Sequence, residues 1–533
     1  MKQAIGDMIR RRAQRSPDAV AYLGEASALS WAGYDRAADI LAGQLAGLCR
    51  QPGDRVAVYL PDGPLLHVAY TACERAGLVI VGIPARAGDL ELDHLIARTG
   101  ARVLLCPPRY RDRTGARLAA GVRARGVPLE YHAELAADGT LAGYDAAGDL
   151  VAPRAGAVAG RQLGPDDLWL LNSTSGTTGL PKCVEQVQDT WTYLAGIAAT
   201  AADLGPDDVI LSVVPSPYGF GLWTAHMLPA LLGVPCVLRE RFSAEDTLRA
   251  LAEHRVTMLA CVTTQLRMML ASSVLDEVDL TALRVVYTGG ERTPPERARE
   301  WERRTGSAVL QFYGSNETGA FSCTTLADDE ELRLTTVGRV VPGTEYRIYD
   351  SAGNDVTAAG GPGQPASRGP AGGERRERGY WDDDAANAEL FGQDGFKLLP
   401  DVVTVDAAGY VRIAGRKADL IIRGGKNISA AAVEEEVGAH PAVDLVAVIA
   451  VPDAIFGERV CAVVTTREPG AALTLDDLLS FLAARGLGKE YFPEYLAVLP
   501  EMPVSAGGKI AKNALKARLP DLVPASGRGV RCE

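Results

Sequence analysis

Short apolar, β-branched runs alternate with segments of helical period through most of the chain. The run Arg55-Val56-Ala57-Val58-Tyr59-Leu60 predicts a strand, and the apolar spacing over 65–76 predicts a helix after it. Further strands are expected over 101–106, 168–171, 209–214, 236–239, 258–262, 284–287 and 308–312, with helices over 244–254 and 295–304. Such alternation predicts α/β layers in which helices cover sheets. Segment 357–378 breaks the texture. It is rich in Gly, Pro, Ala and Arg, with almost no large apolar residue, and predicts a surface loop. A helix is expected again over 385–391. The last part reads as a separate α+β unit, with helices over 430–438 and 475–484 and strands over 445–451, 460–465 and 496–499. The expected fold is therefore α/β: a large N-terminal multi-sheet domain and a small, mobile α+β C-terminal domain, with the boundary at 415–418.

Composition narrows the classes of function. At 533 residues the chain exceeds one ordinary domain. A net charge of −12 argues against a nucleic-acid partner, because phosphate backbones are bound by basic faces. The 9 cysteines are dispersed and form no CxxC pair, which reads as reduced thiols of a cytoplasmic protein. Residues 1–15 carry charges without a continuous apolar stretch, so no secretory signal is expected there. The longest apolar stretch, 223–238, is interrupted by His226, Pro229, Gly233 and Pro235 and fits buried core better than a membrane span. The 6 histidines are scattered, and none is spaced from another as a metal pair.

The richest chemistry follows the predicted strand 168–171. Ser173-Thr174-Ser175-Gly176-Thr177-Thr178-Gly179-Leu180-Pro181-Lys182 is a loop of hydroxyls and glycines ending in a cation. Glycines let backbone N–H groups turn toward an anion, the hydroxyls add donors, and Lys182 adds charge. Such composition also suits a flexible connection. The loop is not a Walker A motif, since no Ser or Thr follows the Lys.

This order of residues resembles the phosphate loop of the adenylate-forming superfamily, which contains acyl-CoA synthetases, luciferases and peptide-synthetase adenylation domains. Other fragments follow in the order that superfamily has, from about residue 29 to 515. They are Gly53-Asp54-Arg55-Val56-Ala57-Val58, Thr288-Gly289-Gly290-Glu291, Tyr313-Gly314-Ser315-Asn316-Glu317, Asp401, Gly415-Arg416, Arg423-Gly424-Gly425-Lys426-Asn427-Ile428 and Gly508-Lys509-Ile510. The chain looks most similar to acyl- or aryl-CoA synthetases.

The resemblance implies a domain of residues 1–415 that binds ATP and the acid, a hinge at 416–418 centred on Ala418, and a lid of residues 419–533 carrying Lys509. It implies ATP, Mg2+ and CoA, or the phosphopantetheine of a carrier protein, as cofactors. Two half-reactions with domain alternation follow: a carboxylate attacks the α-phosphate and expels pyrophosphate, then a thiol takes the acyl group. Lys509, Glu317, Thr178 and Lys182 are the implied catalytic residues, with Glu317 the Mg2+ ligand. ATP would meet Ser173, Thr174, Ser175, Gly176, Thr177, Gly179, Gly290, Glu291, Tyr313, Asn316, Asp401 and Arg416. The acyl pocket would take Tyr218, Phe220, Gly221, Val262, Thr263, Gly289, Gly314 and Ser315, and the pantetheine arm would pass Arg423, Gly424, Gly425 and Lys426.

The chain departs from the family pattern at several positions. Ala418 replaces the usual Asp or Lys of the hinge, Asn316 the usual Thr, and Phe396-Lys397-Leu398-Leu399-Pro400-Asp401 the usual aromatic-Arg-Thr-Gly-Asp run. Tyr218 stands where many acyl-CoA synthetases carry a gating His. No Asp occurs between Tyr218 and Trp223, so a substrate ammonium would lack a counter-charge and an uncharged, bulky acyl group is expected. The run 486–495 resembles synthetases of aryl and alicyclic acids. Two other readings are a stand-alone adenylating enzyme that loads a carrier protein, and a non-catalytic homologue that binds nucleotide or acyl ligand. The expected partners are a small carboxylic acid and an acceptor thiol, with the chain a monomer or homodimer.

Overall fold

A computed structural model describes residues 3–25, 27–49, 51–151, 155–173, 181–290, 293–370, 378–392, 395–416, 420–423, 426–453, 457–468, 470, 472–485, 491–504, 510–522 and 530–531. Two large sheets organise the N-terminal part. One runs in the order Arg339–Val340, Gly319–Cys323, Ala308–Ser315, Val285–Gly289, Met258–Cys261, Ile210–Ser212, Cys236–Leu238, Val20–Leu23, Ala28–Ser30. From Ala308–Ser315 to Val20–Leu23 its strands are parallel, and the edges are antiparallel. The other sheet has Tyr131–Leu135, Val103–Cys106, Arg55–Val58, Val79–Gly82 and Leu170–Ser173 in parallel, with Cys183–Gln186 antiparallel at one edge.

Sequence and topology agree here for a physical reason. Parallel strands are covered on both faces, so they read as unbroken apolar runs. Val103–Cys106, Met258–Cys261 and Val285–Gly289 are buried along their whole length. Helix Ala244–Glu253 starts where Ser243 accepts a hydrogen bond from the N–H of Asp246, at 3.2 Å. The C-terminal part is a smaller α+β unit. Its long hairpin pairs Val443–Asp453 with Gly457–Thr466, and helix Leu475–Ala484 begins in a capping box of Thr474 and Asp477. The chain thus has the expected class: a large α/β domain of several mixed sheets and a small α+β C-terminal domain.

One expectation needs correction. Segment 357–378, read as a loop, contains the strand Gln364–Pro370, which pairs with Thr344–Tyr349 and with Lys397–Leu398. Its small residues are there because backbones approach closely. Ala366 is buried, and a Cβ on Gly363 would lie 2.5 Å from the Tyr349 carbonyl oxygen. A poverty of large side chains hid the strand from any hydrophobic pattern. Residues 371–377 lie outside the described residues.

The eight described cysteines are all buried and unpaired; Cys532 is not described. Among the described residues no helix is long and apolar enough to cross a membrane.

Candidate active site

The parallel strands of the larger sheet deliver their carboxyl ends to one edge, where open α/β sheets place ligands. Gly289 closes Val285–Gly289, Gly314 and Ser315 close Ala308–Ser315, and Val262 and Thr263 follow Met258–Cys261. Tyr218, Phe220 and Gly221 follow Ile210–Ser212, the last two within the short helix Gly219–Leu222. Eight residues expected around an acyl group are thereby gathered from four strand ends. Phe220 packs at a tilt against Trp223 (centroids 5.7 Å), and Trp223 against Phe312 (4.8 Å), so an aromatic wall backs the loop. A Cβ on Gly289 would stand 2.9 Å from the Phe312 carbonyl and 3.4 Å from the Phe220 ring. A Cβ on Gly314 would stand 2.0 Å from the Gly319 carbonyl, which leaves glycine alone at that position. Gly290 holds φ +82, a left-handed conformation suited to glycine. Burial pushes the Tyr218 phenol up to about 12, with Glu91 adding to the shift, so it stays neutral.

Ser173 ends Leu170–Ser173 in the second sheet and starts the loop expected to hold phosphate. It is 1% exposed, and among the described residues its hydroxyl has no hydrogen-bond partner. A buried, unpaired hydroxyl is costly, so this one marks a place where a ligand atom is expected. Thr174, Ser175, Gly176, Thr177, Thr178 and Gly179 lie outside the described residues, as do Glu291, Ala418, Gly424, Gly425 and Lys509.

Glu317 and Lys182 meet around Tyr380. The Tyr380 hydroxyl donates to Glu317 Oε1 at 2.7 Å, and Lys182 Nζ sits 4.8 Å from the centroid of the Tyr380 ring. Lys397 Nζ donates to the Glu317 carbonyl at 2.9 Å. Burial, then the Glu317 charge, drives the Tyr380 phenol far above its ordinary range, so it remains a donor. Glu317 Oε2 accepts no hydrogen bond from the described residues, which leaves a hard oxygen suited to a hard cation. Tyr313 donates to Asp401 Oδ2 at 2.8 Å, and both are 8% exposed. Asp401 faces Arg416 across the ladder of Asp401–Val405 and Val411–Arg416. Arg423 pairs in register with Lys426, and its guanidinium contacts Glu494 Oε1 at 2.5 Å.

Three residues of this region are absent from the sequence candidates: Tyr380, and Gln186 and Trp191, joined by a hydrogen bond from the Trp191 indole N–H to Gln186 Oε1 at 2.9 Å. Tyr380 follows Gly379, where a Cβ would lie 2.1 Å from Asn387 Oδ1; that aromatic after a glycine was the sole cue. Two of the scattered histidines meet in the fold. His67 and His226, distant in sequence, meet Nδ1 to Nδ1 at 3.1 Å. Among the described residues no group of three or more His, Cys, Asp or Glu could hold a metal ion.

Comparison with known proteins follows the same lines. The AMP-binding enzyme family matches residues 9–381, and the AMP-binding enzyme C-terminal domain matches residues 432–509. The chain belongs to this family of adenylate-forming ligases. It is 33% identical to a feruloyl-CoA synthase of Amycolatopsis sp over 97% of this chain and 99% of that protein. It is 28% identical to a medium-chain fatty-acid–CoA ligase of Escherichia coli K12 over 96% of this chain and 90% of that one. The crystal structure of ATP-bound MatB from Rhodopseudomonas palustris superposes with a TM-score of 0.83 at 28% identity, covering 98% of this chain and 99% of that one.

Proposed function

We propose that this ligase activates a bulky, hydrophobic carboxylic acid, aryl or alicyclic, as its acyl-adenylate and passes the acyl group to the thiol of CoA. The observation that carries the acid class is the aromatic wall of Phe220, Trp223 and Phe312 over Gly289, in a loop without a carboxylate. An amino acid would bring a buried ammonium with no counter-charge in that loop. The feruloyl-CoA synthase supports an aryl acid and the fatty-acid ligase a free CoA acceptor.

On this reading residues 1–415 bind both substrates, residues 416–418 hinge, and residues 419–533 form the lid. Ser173 and the loop to Lys182 hold the β- and γ-phosphates. Asp401 accepts from the ribose hydroxyls, and Tyr313 orients Asp401 through the bond it already makes. Glu317 would hold Mg2+, which neutralises phosphate charge when bound. The acid's carboxylate forms a bond to the α-phosphorus as the bond to pyrophosphate breaks. The thiol then forms a C–S bond to the carbonyl and releases AMP.

Pyrophosphate release across a library of carboxylic acids, with and without CoA or carrier proteins, tests the proposal. Aryl or alicyclic acids with CoA are expected to lead. Efficient pyrophosphate exchange with amino acids, and none with aryl or alicyclic acids, overturns the acid class. Thioester formed only on carrier proteins overturns the acceptor.

Tyr380 supplies a second test. Tyr380→Phe keeps the ring beside Lys182 and removes the donor to Glu317. Residues that orient metal ligands matter by about tenfold in metal affinity, so its Mg2+ half-saturation should rise about tenfold with little change in the KM for ATP. Tyr380→Leu should raise both, because the ring is lost as well. Equal Mg2+ titrations of wild type and Tyr380→Phe would contradict the role given to Glu317.

A further inference from the structure

Asn316 sits in the turn between Ala308–Ser315 and Gly319–Cys323. A turn asparagine usually bonds its own backbone two residues on. This one reaches across the molecule instead. Its Oδ1 accepts the N–H of Gly219 at 2.8 Å, 97 residues away, and its Nδ2 points to the Ser173 carbonyl at 3.5 Å, 143 residues away. Its own carbonyl accepts from Gln186 Nε2 at 2.7 Å. The same Nε2 group donates to Asn172 Oδ1 at 3.0 Å, and Gln186 Oε1 accepts the indole N–H of Trp191 at 2.9 Å. Trp191 then returns to the start: a Cβ on Gly219 would lie 2.3 Å from Trp191 Cη2 and 2.7 Å from Asn316 Oδ1.

Gly219, Asn316, Gln186 and Trp191 therefore form a closed ring of contacts. It joins the loop that carries Phe220 to the strand that ends in Ser173 and to the residue next to Glu317. We infer that Asn316, its amide taken up by Gly219 and Ser173, acts not as the ATP contact the resemblance implies but as a positioning residue which fixes the acid-binding loop against the phosphate side of the site, so that acid affinity depends on its side-chain amide. This role rests on the ligase reading given above. It also gives the departure from threonine a physical content, since an amide oxygen reaches the Gly219 N–H that holds the loop. A shift of Gly219 breaks its hydrogen bond to Asn316 Oδ1 or drags the residue beside Glu317 with it. Acid and nucleotide sites are thereby mechanically linked.

Pyrophosphate release under separate acid and ATP titrations tests this, with nucleotide binding measured directly to show that each variant is folded. Asn316→Ala should raise the KM for the acid about tenfold, the size of one lost hydrogen bond, while the KM for ATP stays within about twofold. Asn316→Asp keeps the acceptor for Gly219 and should retain most of the acid affinity. Gly219→Ala, which intrudes on both Trp191 and Asn316, should raise the acid KM as well. The double variant Gly219→Ala/Asn316→Ala should be no worse than the poorer single one, because both break the same ring. An Asn316→Ala variant with unchanged acid KM, or with equal losses for acid and ATP, overturns the inference while the ligase reading stands. Additive effects in the double variant overturn it too. A wild type that releases no pyrophosphate with any acid removes the ligase reading and this role together.

Discussion

Lys509→Ala is expected to lower acid-dependent pyrophosphate release on the order of 10²- to 10³-fold while leaving nucleotide binding nearly intact, the signature of a fixed cation at a site where charge builds up. The effect is electrostatic. An acid carboxylate must approach an α-phosphate that is itself anionic, and the repulsion peaks as the new bond forms. In the proposed arrangement Lys182 and the hydroxyl loop are taken up with the β- and γ-oxygens. In the same proposal the Gly508-Lys509-Ile510 element of the small domain would supply a second cation, carried by the lid. The second half-reaction provides the control. Given a pre-formed acyl-adenylate, thioester formation should be far less affected by Lys509→Ala, because that step needs the cation withdrawn. Equal loss in both half-reactions would refute the alternation. Lys417→Pro within the proposed hinge, or Asp419→Pro beside it, should do the reverse and slow thioester formation more than adenylation.

The order of these motifs was legible because each is a local string whose composition serves a local need: glycine where a Cβ would strike backbone, hydroxyls where donors must converge. Gly314 illustrates it, as a Cβ there would stand 2.0 Å from the Gly319 carbonyl and the residue type records that crowding. Parallel strands were legible for the same reason, since burial on both faces removes polar residues from a short run. Gln364–Pro370 was not, because it packs through backbone proximity and small side chains rather than apolar bulk. Gln186 and Trp191 look like ordinary strand and helix residues in sequence. Only the convergence of two sheets makes Gln186 a bridge between Asn316 and Asn172. Tyr380 and Glu317 lie 63 residues apart and His67 and His226 159 apart, distances over which spacing carries no information about contact.

That buried histidine pair gives the largest expected effect on stability. His67, on helix Pro64–Arg75, and His226, in the π-helical turn Trp223–Met227, are both 0% exposed. Tyr22 stacks on His67 with centroids 4.6 Å apart, and Trp169 stacks on His226 at 5.6 Å. Each ring has an Nε2 without a hydrogen-bond partner among the described residues. Charging either ring would bury a cation between aromatic faces and beside a second imidazole. Burial accordingly pulls His226 down from 6.5 to about 3, and burial together with His226 holds His67 well below 6.5. The sign follows directly. An unfolded chain takes up these two protons below pH 6.5 and the folded chain does not. The stability they preserve is full above that value and drains as acidity rises toward about pH 3 for His226. His226 then removes about 1.4 kcal/mol per pH unit below its unfolded value, about 2 kcal/mol between pH 7 and pH 5, and His67 acts in the same direction. All 6 tryptophans lie before residue 415, so their fluorescence follows unfolding of the large domain alone. Buried Glu74, whose carboxyl is pushed up to about 8, offsets part of this loss, so urea unfolding at pH 7 and pH 5 should show a loss smaller by about 2 kcal/mol in His226→Gln than in the wild type, whatever the variant's stability at pH 7. An undiminished pH slope in the variant would show that these imidazoles are not the groups that titrate.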